Sequence, residues 1–237
     1  MYVDINCDMG EGIGNDAAIM PFISSANIAC GYHAGDGQTM WDTIELALKH
    51  NVSIGAHVSF LDRENFGRVE MNITPLEIAE LVAQQLFILQ EIADSFSLKI
   101  HHVKPHGALY NVSAKNLEVA KAVASAAKMF DQDLVFFGLS GRMSVAAARL
   151  VGLKTMNEVF ADRTYQDDGS LTPRSQPNAL IIDADKAVQQ VLQMVNEGKV
   201  TTVSGKQIPI IADTVCIHGD GLHAIEFAKA IHEALRK

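Results

Sequence analysis

The sequence predicts an α/β protein, a seven-stranded (β/α) barrel, on three observations. Seven short apolar stretches read as strands, and most alternate with stretches of helical periodicity, an order that builds a parallel sheet. No linker, low-complexity run or internal repeat divides the chain, so residues 1–237 read as one barrel domain. Polar and ionisable residues gather at the C-terminal ends of six of the seven strands. A barrel builds its site at that rim from several strand ends, whereas an open sheet collects such residues at one switch point.

The elements follow in order. Residues 3–8 alternate apolar and polar, placing Asp4, Asn6 and Asp8 on one strand face. The glycine-rich turn Met9-Gly10-Glu11-Gly12-Ile13-Gly14-Asn15 is neither G-x-G-x-x-G nor a Walker A loop. A second strand over 24–30 closes in a turn holding His33, and Asp36 caps a helix over about 38–50. The third strand, 52–57, ends at His57. Thr74, Pro75 and Glu77 open a long helix to about 96, as cap, first-turn proline and capping-box glutamate. The fourth strand, 99–104, is stopped by Pro105, which has no N–H for the ladder. His102, Lys104 and, by extension, His106 share one of its faces, and Gly107 makes the turn. A helix is expected over 114–131, an apolar fifth strand over 134–138, a small-residue helix over 141–151 and a sixth strand over 154–160. Turn residues mark 166–178 as an ordered functional loop or small hairpin. A helix over 183–197 is stopped by Gly198, a hairpin spans 200–211, the seventh strand covers 214–218, and a helix runs over about 222–237.

Composition narrows the class of partner. The formal charge is −9 and no Lys/Arg-rich run is present, which argues against a nucleic-acid or anionic-membrane surface. No apolar run reaches the roughly 18 residues of a membrane helix, and Met1-Tyr2-Val3-Asp4 enters a strand pattern without a signal-peptide region. Three cysteines, Cys7, Cys30 and Cys216, form no C-x-x-C pair and read as buried inert thiols in a reducing cytoplasm.

Two chemistries stay open at the rim. His33, His57, His102, His106 and His218, with Asp8 and Glu11, suit a divalent metal, although none shows a local ligand spacing. Without a metal the same groups serve as general acid and base, with Lys104 or Arg163 stabilising an oxyanion. Gly138-Leu139-Ser140-Gly141 is not G-x-S-x-G, so no serine nucleophile is expected. His50, His223 and His232 fall in helices, in surface or capping roles. Asp162-Arg163 is either a salt bridge or, with Tyr165 and Arg174 near, a guanidinium fork for an acidic substrate.

Several blocks together resemble the LamB/YcsF family. They are Asn6-Cys7-Asp8-Met9-Gly10-Glu11, the run from Ser25 through His33 to Asp36, Gly55-Ala56-His57, Phe66-Gly67-Arg68, the run from His102 to Asn111, Phe160-Ala161-Asp162-Arg163 and His218-Gly219-Asp220. The likeness runs from residue 2 to about 230. Val58, Tyr32 and Gly37 stand where the family commonly has Pro, Phe and a nearby Pro, changes that touch loop shape and no ionisable group. The resemblance implies a barrel similar to those of glycoside hydrolases and polysaccharide deacetylases. It implies the reaction 5-oxo-L-proline + ATP + 2 H2O → L-glutamate + ADP + phosphate, carried out by a 5-oxoprolinase in which this chain would be the A component beside B and C subunits. ATP, with Mg2+, is the implied cosubstrate, its contacts either shared with the other subunits or lying elsewhere, because no Walker loop exists here. On this reading Asp8, His33 or His106 acts as base, Lys104 holds the phosphoryl group or oxyanion, and Arg163 or Arg68 pairs the substrate carboxylate. Asn6, Glu11, His57, Tyr110, Glu158, Asp162, His218 and Asp220 complete the expected binding surface. The competing readings are a metal-dependent deacetylase or amidohydrolase on the same barrel and a non-catalytic substrate-binding subunit.

Overall fold

A computed structural model of the chain describes residues 3–219 and 224–236. Strands β1 (Asp4–Met9), β2 (Ser25–Ala29), β3 (Ser53–Val58), β4 (His102–Pro105), β5 (Val135–Leu139) and β6 (Lys154–Phe160) pair in parallel sequence. A small antiparallel hairpin, β7 (Lys199–Thr201) and β8 (Gln207–Pro209), stands apart from them. Strand β9 (Thr214–Ile217) then pairs with both β6 and β1 and closes a seven-stranded barrel.

Helices fill the crossovers: α1 (Asp16–Ile19), α2 (Gly37–His50), α3 (Pro75–Asp94), α4 (Gly107–Ser113), α5 (Leu117–Phe130), α6 (Met143–Leu150), α7 (Ala184–Glu197) and α8 (Ala224–Leu235). The Asp36 side chain caps α2 by accepting from the Thr39 N–H, and Thr74 and Glu77 form a reciprocal capping box on α3. Among the described residues no helix is long and apolar enough to cross a membrane.

The strands alternate faces, and the alternation divides two cores. Ile5, Cys7 and Met9 of β1 join the apolar layer under the helices. Asn6 and Asp8 face the barrel axis, where buried polar groups gather. Near its base Asp4 accepts from the hydroxyls of Ser25 and Thr214. Asn6 Nδ2 donates to Thr214 Oγ1 at 2.7 Å, and Asn27 Nδ2 donates to Asn6 Oδ1 at 2.8 Å and Asp8 Oδ1 at 2.9 Å. These buried polar groups are tolerated because they bond to one another, and the chain of partners delivers Asp8 to the mouth in one orientation.

Three expectations are corrected. The fourth strand begins at His102 rather than at residue 99, and Pro105 lies within it, opposite Val58. The ladder continues past the proline because the His106 N–H donates to the Val58 carbonyl at 2.7 Å. The helix expected over 114–131 begins at Leu117 behind an Asn116 cap, and the preceding turn is itself a helix, α4. Helix α1 and the 3-10 turn Met20–Phe22 are additions to the expected elements, too short to carry a period. The loop 166–178 is the small hairpin of the two expected forms, tied by antiparallel bridges Arg163–Leu180 and Tyr165–Leu171.

Candidate active site

The strand ends open into a cavity of about 940 Å³. Its floor is a buried ion cluster. Lys104 Nζ lies 2.8 Å from Asp8 Oδ1, 2.8 Å from Glu158 Oε1, 3.1 Å from Asn6 Oδ1 and 3.1 Å from Cys216 Sγ. Lys104 is only 2 % exposed, and Glu158 is fully buried. Burial alone would strip the ammonium of its proton, yet Asp8, Cys216 and Glu158 beside it raise its pKa well above the usual lysine range. Burial would likewise raise Asp8, but His57 and Lys104 hold its carboxyl well below the usual range. The pair is therefore ionised at neutral pH.

Three histidines stand against this pair. His33 and His106 stack with ring centroids 3.8 Å apart, and His106 Nδ1 lies 2.9 Å from His57 Nε2. His57 Nε2 is 3.2 Å from Asp8 Oδ2, and Glu11 Oε1 is 3.3 Å from His33 Nε2. Burial lowers His33 to about 4, and burial with neighbouring imidazoles pushes His106 well below the usual range. The loop Phe66-Gly67-Arg68 closes over them. Gly67 has φ +64°, and a β-carbon there would overlap Ser59 Oγ and press within 3.0 Å of both His33 and His106. Only a glycine permits that approach.

His102 lies one layer down. Its ring stacks on Phe137 at 4.2 Å, and its Nε2 is 2.8 Å from Asn27 Oδ1. Because Asn27 Nδ2 already donates upward, Asn27 Oδ1 accepts, so His102 is the neutral Nε2–H tautomer. A β-carbon on Gly55 would overlap that ring.

Of the expected site residues, Asp8, Glu11, His57, Arg68, Lys104, His106, Tyr110, Arg163 and His218 line the cavity. Asn6, His33, Glu158 and Asp162 are brought alongside but support it from behind. Asp220 lies outside the described residues. Asp162-Arg163 is corrected: Asp162 pairs with His218, its carboxylate oxygens 2.8 and 2.9 Å from Nδ1. The Arg163 guanidinium instead donates to the carbonyls of Thr172 at 2.6 Å and Ala179 at 3.3 Å, so its fork holds the 166–178 hairpin. Tyr165 is buried, its hydroxyl accepting from the Phe160 N–H, and plays no part in the cavity. Arg68 and Arg174 are exposed at the rim. Asn27 joins the site as a partner that the sequence reading does not single out, and Cys216, expected only as a buried inert thiol, joins it too. Asn27 carries a signal all the same, since Ser25 and Asn27 alternate with apolar residues in phase with Asn6 and Asp8 across the β1–β2 pairing.

Six basic side chains line the cavity among the described residues, Arg68, Lys104, Lys115, Arg142, Arg163 and Arg174, against three acidic ones, Asp8, Glu11 and Asp168. In a chain of net charge −9, the mouth is locally cationic and suits an anionic ligand.

The comparisons with known proteins agree with this picture. The model of the LamB/YcsF family matches residues 3–237. A Brevibacillus brevis protein, named as the A component of 5-oxoprolinase, is 51% identical, covering 98% of this chain and 94% of its own. A Shouchella clausii protein of the same name is 52% identical over 99% of this chain and 95% of its own. The crystal structure of a lactam utilization protein from Thermus thermophilus superposes with a TM-score of 0.93 at 41% identity, covering 100% of this chain and 96% of that one. With the matching blocks gathered around one barrel mouth, the chain belongs to the LamB/YcsF family.

Proposed function

We propose that this chain is the A component of a 5-oxoprolinase and that its barrel mouth opens the lactam of 5-oxo-L-proline to L-glutamate, with ATP and with B and C subunits, in the cytoplasm. The names of its relatives point to the reaction. The observation that carries it at this site is the ionised Lys104–Asp8 pair on the floor of a cationic cavity.

An unstrained lactam is a poor electrophile, and phosphorylating its carbonyl oxygen makes the carbon attackable by water. Lys104 offers a fixed positive charge to the oxygen that gains negative charge in either step. Asp8, ionised beside it, orients the attacking water. Of the three bases expected, His33 lies outside the cavity lining, leaving Asp8 and His106 within reach of a substrate. Arg68 and Arg174 take the substrate carboxylate, since Arg163 is committed to its hairpin.

The phosphate groups of ATP fit the basic rim and not the glycine-rich turn after β1. There the Gly10 N–H is taken by Asp16 Oδ2 at 2.8 Å, so a carboxylate sits where a phosphate cradle would need an open amide. The cavity is far larger than a five-membered lactam requires, which leaves room for a transferring phosphoryl group. A rim of arginines fits nucleotide contacts shared with other subunits.

The test is glutamate release from 5-oxoproline, with and without ATP, by the chain alone and with B and C subunits. Release that requires both ATP and the full mixture supports the reading. ATP-independent release abolished by a chelator overturns it in favour of a metal-dependent amidohydrolase. Absence of release from folded components overturns it as well.

A further inference from the structure

The three clustered histidines pose a problem of proton placement. His57 Nδ1 lies 3.0 Å from the Lys104 carbonyl, and His106 Nε2 lies 2.9 Å from the Phe66 carbonyl. A carbonyl only accepts, so both of those nitrogens carry hydrogen. The remaining nitrogens, His57 Nε2 and His106 Nδ1, face each other at 2.9 Å. Glu11 Oε1 is 3.6 Å from that same His106 Nδ1, and Asp8 Oδ2 is 3.2 Å from that same His57 Nε2. Imidazole nitrogens and carboxylate oxygens thus converge on one point, where a bound cation would be shared among them.

The geometry points to a divalent transition-metal site formed by Glu11, His33, His57 and His106, of the kind that takes Zn2+. One ligand atom from each residue lies within 4.8 Å of every other. A tetrahedral ion with bonds of about 2.0–2.1 Å sets its ligand atoms about 3.3 Å apart. Three of the six separations, at 2.9, 3.3 and 3.6 Å, scatter around that edge, and none of the six exceeds 4.8 Å. Three imidazoles and one carboxylate suit a first-row ion and not Mg2+. The two backbone carbonyls behind His57 and His106 fix ring orientation as outer partners of metal-bound histidines do. A second trio, Asp8, Cys216 and His218, also lies close together, but the Lys104 ammonium already occupies it. Glu11, His57 and His106 line the cavity, so a bound ion is reached from it and would polarise a carbonyl or phosphoryl oxygen placed there.

The site rests on four side chains and not on the lactam reading, and its test reads metal rather than turnover. The full chain is stripped with a chelator and titrated with Co2+ at neutral pH, then with competing Zn2+. The expected result is one ion per chain, visible bands of four-coordinate Co2+ that Zn2+ erases, and a rise in Tm. His33→Gln and His106→Gln, folded by circular dichroism, lose the bands, whereas His50→Gln, outside the site, keeps them. Should the wild-type chain give no bands and retain no Zn2+ at micromolar concentration, the His57–His106 pair is bridged by a proton and the site is overturned. Equal binding by the His33→Gln/His106→Gln double variant, or loss of binding in His50→Gln, places the ion elsewhere and overturns it too.

Discussion

Lys104 carries its charge into a place where water is excluded, and everything within reach of its Nζ is an acceptor. Replacing it by Met leaves Asp8 and Glu158 as buried carboxylates without their cation. Breaking such a pair from one side costs about 3–5 kcal/mol, so Lys104→Met should lower the urea midpoint markedly as well as remove lactam opening. Unchanged stability would mean that the carboxylates take up protons without cost, and the ionised cluster would be wrong. His102 gives a complementary prediction in pH. Burial, with His101 and Lys104 adding to it, holds His102 well below the usual histidine range. Below about pH 6.5 the unfolded chain binds a proton that the folded chain refuses, so stability falls as pH falls, by up to about 1.4 kcal/mol per pH unit. His102→Gln keeps a donor for Asn27 and removes the titration. Its stability should decline less steeply than that of wild type between about pH 7 and pH 5; parallel curves would show that His102 titrates normally.

The 166–178 hairpin owes its place to a residue that reads from the sequence as a substrate ligand. Arg163 bridges the carbonyls of Thr172 and Ala179, spanning the base of a loop whose own bridges are two isolated pairs. Arg163→Met should therefore free the loop. Trypsin should cut after the exposed Arg174 faster than in wild type while the barrel stays intact, and an unaltered cleavage rate would return Arg163 to the substrate. The same residue marks where sequence reading stops. β6 is legible to both ends, and so is the Thr74 capping box, because caps and periods are local. The rim is legible because ionisable residues at successive strand ends have few structural uses. Which rim residue meets which is not. The Lys104–Asp8 contact spans 96 positions, and the donors of Arg163 go to backbone carbonyls that no side-chain pattern announces. Helix α4 escapes a sequence reading because Pro105 and Gly107 look like breakers, while the chain uses them as a strand end and a helix start.

At the scale of the whole molecule, charge separates surface from mouth. The chain is acidic, with a formal charge of −9, yet the cavity at its barrel mouth is lined by twice as many basic as acidic side chains among the described residues. Low-dielectric walls focus the field of such a lining and concentrate anions at the opening. The floor contributes little to this field, because Lys104 is neutralised by Asp8 and Glu158, and Arg142 pairs with Asp168 at 3.1 Å; the attraction belongs to Arg68, Arg174 and Lys115 nearer the rim. Rim charges are the ones that salt reaches. Raising NaCl from about 0.1 M to about 1 M shortens the screening length from about 10 Å to about 3 Å. In the assembled enzyme at saturating ATP, KM for 5-oxoproline should rise several-fold over that range while kcat changes little. A lactam without the carboxylate, 2-pyrrolidinone, should show poor turnover whose KM is insensitive to salt. If both substrates respond alike, salt acts on assembly of the complex or on nucleotide; if neither responds, neutral donors hold the carboxylate and the basic rim serves only the phosphate.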